Sequence, residues 1–306
     1  MICEGRHIKT IRTLIALLLL LGSPLARGGA PSWNEVDSWA YQLCDYKDGK
    51  LDEIAGSDFD LAVVDLSRDG AGDFFSREEI GALKASGKLV LAYFEIGAIE
   101  EGRPEWNSVP GDLKSGKVDG WPNEQYVRFW DERWWPVVKG RIDQALDAGF
   151  DGAYLDMVTS YEEIPGSGMT LEQRANAMVN LISLISRYAK DKNPAFKIVP
   201  QNSPELYTWT FAEPKPNRQY LDAIDGIGIE SVFYIAHDRP ARQAWCEENR
   251  ENALAIKQAG KKVFGVDYAK KRGCIEDAYT KLRGIGFVPY VSVQELNVIV
   301  PENPVR

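Results

Sequence analysis

Histidine is nearly missing: among 306 residues only His7 and His237 are histidines. That scarcity works against Ser-His and Cys-His catalysis and against His-rich zinc or iron centres together. Cysteine is scarce as well, with Cys3 near the N-terminus and then Cys44, Cys246 and Cys274. The last three are an odd number, which in an exported chain allows one intramolecular bridge at most. Cys246 with Cys274 is the first pair to consider, three unpaired buried thiols are the alternative, and the spacing makes no metal motif. No G-x-G-x-x-G or G-x-x-x-x-G-K-[ST] segment opens a helix, so nucleotide binding is disfavoured. Positive charge is also short. With 36 Lys and Arg against 45 Asp and Glu, the net charge of −9 argues against nucleic acid and suits a neutral or cationic ligand.

Long apolar runs are absent after the N-terminus. There, Arg6, Lys9 and Arg12 precede an apolar stretch over 14–21 that breaks at Gly22 and Pro24, before Ala26, Gly28, Gly29 and Ala30. The stretch is well short of the ~20 residues that cross a bilayer, and the basic, apolar and small-residue regions in series predict a secretory signal over 1–30, cleaved near 26–30. Residues 31–306 are then one domain, secreted or periplasmic, with no membrane attachment after cleavage.

What is present is an alternation of short apolar runs with amphipathic helical segments, repeated eight times, which predicts a (β/α)₈ TIM barrel of class α/β. Expected strands cover 39–43, 59–66, 89–96, 149–156, 197–202, 226–234, 262–268 and 286–293. Several stop at a carboxylate or amide, most clearly the run ending at Asp156. Ser76 and the pair Thr170 and Gln173 are expected helix caps. Helices are expected over 239–259 and 274–283. Residues 97–131 are rich in Gly, Pro, Trp and charge, and too long for an ordinary strand-to-helix connection of ~2–6 residues, so they read as a cleft wall or lid.

A closed parallel barrel gathers its strand tips at one end, where such folds carry their chemistry. The candidates are Gln42, Asp65, Tyr93, Glu95, Asp156, Gln201, Asn202, Glu230, Asp267, Tyr268 and Tyr290. Five carboxylates without His or Lys are what glycoside hydrolysis uses, one ionised at the anomeric carbon and one protonated toward the leaving oxygen. A shared negative field raises the pKa of one member of such a pair. Asp65 and Asp267 have a structural alternative, as caps or ion-pair partners, and Glu95 has one in a buried Lys or Arg. Asp156 and Glu230 each end an apolar strand, where a charge is costly to bury without a use or a partner.

In order, Tyr41-Gln42-Leu43, Asp65, Ala92-Tyr93-Phe94-Glu95-Ile96-Gly97, Gly149 through Asp156, Gln201-Asn202 and Gly228-Ile229-Glu230-Ser231 resemble the strand motifs of the endo-α-1,4-polygalactosaminidase family, glycoside hydrolase family 114. The resemblance covers nearly all of residues 31–306. It implies a TIM barrel, hydrolysis of α-1,4-linked galactosamine-containing polysaccharide, and a catalytic pair at Asp156 and Glu230. One position departs from the pattern: Glu95 stands where many relatives carry Ser in Tyr-x-Ser-x-Gly. The mechanism expected is retaining, with Asp156 as nucleophile and Glu230 as acid/base, without cofactor or metal. The other nine candidates are expected at the substrate, with Asp65, Glu95 and Asp267 meeting the ammonium or hydroxyls of a cationic galactosamine polymer. Two rivals use the same residues. One is a carbohydrate-binding barrel that does not cut, and the other a metal-assisted hydrolase with Asp65, Asp156, Glu230 and Asp267 around Mg²⁺ or Ca²⁺.

Overall fold

In the computed structural model, which describes residues 29–208 and 216–301, the apolar runs become eight parallel strands. They are β1 (Trp39–Tyr41), β2 (Leu61–Asp65), β3 (Leu89–Glu95), β4 (Gly152–Asp156), β5 (Lys197–Pro200), β6 (Gly226–Glu230), β7 (Lys262–Tyr268) and β8 (Val288–Ser292). The expected signal lies outside the described residues but for its last two positions, and so do residues 209–215 of the long segment after β5.

Hydrogen-bonded pairing runs in order through β1 to β5 and again through β6 to β8. Two seams close the barrel. Between β5 and β6, Gln201 bridges to Gly228, and the Asp225 carboxylate accepts from the Ile198 N–H at 2.9 Å. Between β8 and β1, the Trp39 indole donates to the Val288 carbonyl at 3.0 Å and packs on the Tyr290 ring. The strand period of two then sorts side chains. Trp39, Leu61, Val63, Leu91, Tyr154 and Val266 fill the barrel, while their neighbours Ala62, Val64, Val90, Ala153 and Ile198 face the helices.

Local chemistry sets the helices. Ser76 and Glu79 make a capping box, and so do Thr170 and Gln173 at the start of the 22-residue helix Leu171–Lys192. Asp131 accepts from the Arg133 N–H and caps the short turn Glu132–Trp134, which runs into the helix Trp135–Ala148. Gly149 ends that helix at φ 85°, a left-handed position that suits glycine.

The 97–131 insertion is a three-stranded antiparallel sheet of Ala98–Glu100, Lys114–Val118 and Trp121–Val127, with the last strand central. It stands on the tips of β3 and β4: the Ile96 N–H donates to the Asp156 carbonyl, and the Val127 N–H to that of Gly97. Gly97 permits this approach, because a Cβ there would run into the Met157 carbonyl and the Ser160 hydroxyl.

Two expectations are corrected. The sixth strand ends at Glu230, not 234, because Ser231 turns left-handed and the Asp267 carboxylate takes the N–H groups of Phe233 and Tyr234. A small antiparallel pair, Tyr234–Ile235 with Arg239–Pro240, follows, so the next helix begins only at Ala244. Cys44, Cys246 and Cys274 are all free, which overturns the Cys246–Cys274 pairing; the alternative of three unpaired buried thiols holds for the pairing, but of the three only Cys246 is buried. Among the described residues no helix is long and apolar enough to cross a membrane.

Candidate active site

Asp156 and Glu230 end β4 and β6 on the inward-facing parity, with β5 between them. The chain leaves all three tips through left-handed residues, Met157 at φ 57°, Asn202 at 63° and Ser231 at 55°. Non-glycine residues in that region cost on the order of 1–3 kcal/mol each, a strain that concentrates at functional sites. Here the turn carries the backbone away immediately past each polar side chain and leaves that side chain at the barrel mouth.

Each carboxylate is held by a tyrosine. The Tyr93 hydroxyl donates to Asp156 Oδ2 at 2.6 Å, and the Met157 N–H donates to Oδ1 at 2.6 Å. The Tyr268 hydroxyl donates to Glu230 Oε1, and the Asn202 amide donates to Oε2 at 3.1 Å while its oxygen accepts from the Glu230 N–H. Beneath them, the Tyr41 hydroxyl donates to Gln201 Oε1 at 2.9 Å, and the Tyr41 and Tyr154 rings pack 5.2 Å apart. Gly228 makes room for this layer, since a Cβ on it would run into the Tyr154 ring and hydroxyl. Burial, then the charge of Glu230, push the Asp156 carboxyl up to about 7, against the hydrogen bonds from Tyr93 and Met157. At neutral pH the Asp156 carboxyl is therefore close to half protonated, and a two-carboxylate glycosidase needs one protonated member.

A second acidic group lies beside this pair. Arg103, from the insertion, grips Asp65 with both arms of its guanidinium at 2.8 Å and reaches Glu95 Oε1 at 3.1 Å. Arg141, from the helix Trp135–Ala148, donates to Glu95 Oε2 at 3.2 Å and to Glu105 at 3.1 Å. Burial works to raise the Glu95 carboxyl, but Arg103 and Arg141 outweigh it and hold the group below its ordinary value. Glu95 thus sits in a buried ion-pair network, as its structural alternative expected. Arg141 was open to discovery in the sequence: it falls on the same helical stripe as Val138, Ile142 and Ala145, where a charge signals a buried partner. Arg103 had no such signal, because it stands in an irregular Gly- and Pro-rich stretch.

The remaining candidates divide by strand parity. Tyr93, Tyr268 and Asn202 touch the carboxylate pair, and Gln201 is held by the Tyr41 hydroxyl. Gln42 points away, with its amide donating to the carbonyls of Cys44 and Asn297. Asp267 lies on the opposite parity to Tyr268 and binds backbone N–H groups on the helix side, burial raising its carboxyl to about 7. Tyr290 is wholly buried, and its hydroxyl accepts from the Val300 N–H. Asp65, Asp156, Glu230 and Asp267 are not gathered: among the described residues no three or more Asp, Glu, His or Cys side chains are grouped to hold a metal ion.

A model of glycoside-hydrolase family GH114 matches residues 22–303. An uncharacterised protein of Deinococcus radiodurans is 30% identical over 282 residues, covering 90% of this chain and 86% of that protein. One of Methanocaldococcus jannaschii is 32% identical over 271 residues, covering 83% and 75%. Two solved structures share the barrel. Aspergillus fumigatus Ega3 in complex with galactosamine has a TM-score of 0.67 at 16% identity, covering 90% of this chain and 99% of that one. The glycoside hydrolase domain of PelA from Pseudomonas aeruginosa has a TM-score of 0.68 at 18% identity, covering 87% and 98%. With a strand-tip carboxylate pair, a (β/α)₈ barrel and a family match over almost its whole length, this chain belongs to glycoside-hydrolase family GH114 and is a glycoside hydrolase.

Proposed function

We propose that the protein is an exported enzyme that cleaves α-1,4-linked galactosamine-containing polysaccharide with retention, Asp156 acting as nucleophile and Glu230 as acid/base. The observation that carries this reading is the paired placement of Asp156 and Glu230, each oriented by a tyrosine hydroxyl. The galactosamine bound in the complex of Ega3, a protein of the same fold, supports the sugar class. The basic, apolar and small-residue series over residues 1–30 supports export.

Asp156 attacks the anomeric carbon as Glu230 gives its proton to the departing glycosidic oxygen. Water then adds to the anomeric carbon, gives its proton to Glu230 and releases Asp156. A second reading exchanges the roles, and the raised carboxyl of Asp156 favours it, making Asp156 the acid.

Mass spectrometry of wild-type products from partly deacetylated α-1,4-galactosamine oligomers tests the substrate. Shorter oligosaccharides are expected, with the α-anomer appearing first by NMR. Intact oligomers remove the substrate, and a β-anomer first removes retention.

The raised Asp156 carboxyl also sets a pH dependence. Both assignments need one proton on the two carboxylates, so kcat/KM is expected to fall as pH rises through about 7, where Asp156 loses its proton. A profile still flat at pH 9 contradicts the raised carboxyl.

A further inference from the structure

The insertion sheet carries a carboxylate that the catalytic pair does not use. Glu124 lies on the central strand, opposite Glu100 in the antiparallel register, so the two side chains share one face with Ala98 and Tyr126. Ala98 and Tyr126 belong to a buried cluster against which Met157, the residue after Asp156, packs, and this sets the face beside the nucleophile. Glu124 is 7% exposed, and its Oε1 is buried with no hydrogen-bond partner.

Charge makes the position odd. Two carboxylates directly opposite in an antiparallel pair repel, and a buried polar atom without a partner costs roughly 1–3 kcal/mol. The charged groups facing Glu124 are Glu95 on β3, Asp156 on β4 and Glu100 on its own sheet, with Arg103 as the cation among them. Arg103 is already engaged with Asp65 and Glu95, and its Nε stands 3.4 Å from Glu100. Burial first, and then the three carboxylates, raise the Glu124 carboxyl to about 9, so at neutral pH it is held as a neutral acid. A ligand that brings its own positive charge supplies what this face lacks.

We propose that Glu124, with Glu100 beside it, determines specificity by receiving the ammonium group of a galactosamine unit seated on Asp156. In 2-amino sugars the amine sits on the carbon next to the anomeric carbon. A sugar placed for attack by Asp156 therefore carries its ammonium one bond from the reacting atom. An acetylated unit brings no charge and gains nothing from the second carboxylate, so the site prefers deacetylated units. The inference rests on the galactosamine reading above and assigns the selecting role to Glu124 and Glu100 in place of Asp65 and Glu95, which Arg103 and Arg141 neutralise.

Calorimetric binding of methyl α-galactosaminide and methyl α-galactoside, which carry an ammonium and a hydroxyl respectively at C2, tests it in the full-length protein, its Glu124→Gln variant and its Glu100→Gln variant. Wild type is expected to prefer the amine by about ten- to a hundred-fold, the range for hydrogen bonds to charged groups. Glu124→Gln is expected to bind both alike, and Glu100→Gln to lose part of the preference. No preference in wild type, or a preference unchanged in Glu124→Gln, overturns the proposal. Should Glu124→Gln not fold, an unchanged preference in Glu100→Gln overturns it equally. Hydrolysis of galactosamine oligomers is followed in parallel. Cleavage with an unchanged preference ends this inference and leaves the hydrolase standing, whereas a lost preference without cleavage does the reverse.

Discussion

Arg103→Ala is expected to destabilise the protein by about 3–5 kcal/mol, because it leaves Asp65 buried without a cation and takes one of two from Glu95. Asp65 and Glu95 are both about 2% exposed. Asp65 takes both of its charge-neutralising contacts from this one guanidinium, while Glu95 keeps Arg141. Lysine is a poor substitute, since one ammonium cannot reproduce the planar fork that holds Asp65 bidentately while reaching Glu95. Equilibrium urea unfolding measures the loss directly. The ion pairs themselves are not the source of stability, so the triple variant Asp65→Asn, Glu95→Gln, Arg103→Met is expected to recover most of it. A loss below about 1 kcal/mol for Arg103→Ala, the value typical of an exposed pair, contradicts a buried network.

The same network marks how far the sequence can be read. Strand positions were legible because apolar β-branched runs bounded by Gly and charge have few other uses. The seventh strand appears over Lys262–Tyr268 and the third within a residue of its expected end. Strand parity separates residues that proximity along the chain lumps together. Asp267 and Tyr268 are adjacent in a strand and cannot both face the barrel, and the structure sends Tyr268 to Glu230 and Asp267 to the outer backbone. Contacts from irregular chain were not legible. Arg103 reaches β2 and β3 from a loop whose path depends on the sheet built above it, and no periodicity announces that sheet. Its central strand contains Pro122 and Asn123, which read as a turn, so Glu124 looks like an exposed charge until the fold buries it. The Tyr234–Ile235 pairing was hidden for a similar reason, because the contact that bends the chain there comes from Asp267, more than thirty positions away.

The strand tips also explain why this barrel accepts strain at its working end. Met157, Asn202 and Ser231 all turn left-handed directly after, or at, a side chain that faces the carboxylate pair. Asparagine tolerates that conformation, but methionine and serine gain nothing from it locally, so the surrounding contacts must impose it. At Met157 these are the N–H bond to Asp156 and the carbonyl that accepts from the Ser160 hydroxyl. Fold and site are thus built by the same few hydrogen bonds.

Turnover by Asp156→Asn and Glu230→Gln is the measurement that bears most directly on the catalytic pair. Both amides keep size and shape, so folded protein by circular dichroism is expected for each. On galactosamine oligomers each variant is expected to lose roughly 10²- to 10⁴-fold or more in kcat. An activated aryl α-galactosaminide, whose leaving group needs no proton, then separates the roles: Glu230→Gln is expected to still release the aryl group, and Asp156→Asn is not. The opposite pattern exchanges nucleophile and acid, and a folded variant of either residue with wild-type kcat on the oligomers contradicts the assignment of the pair.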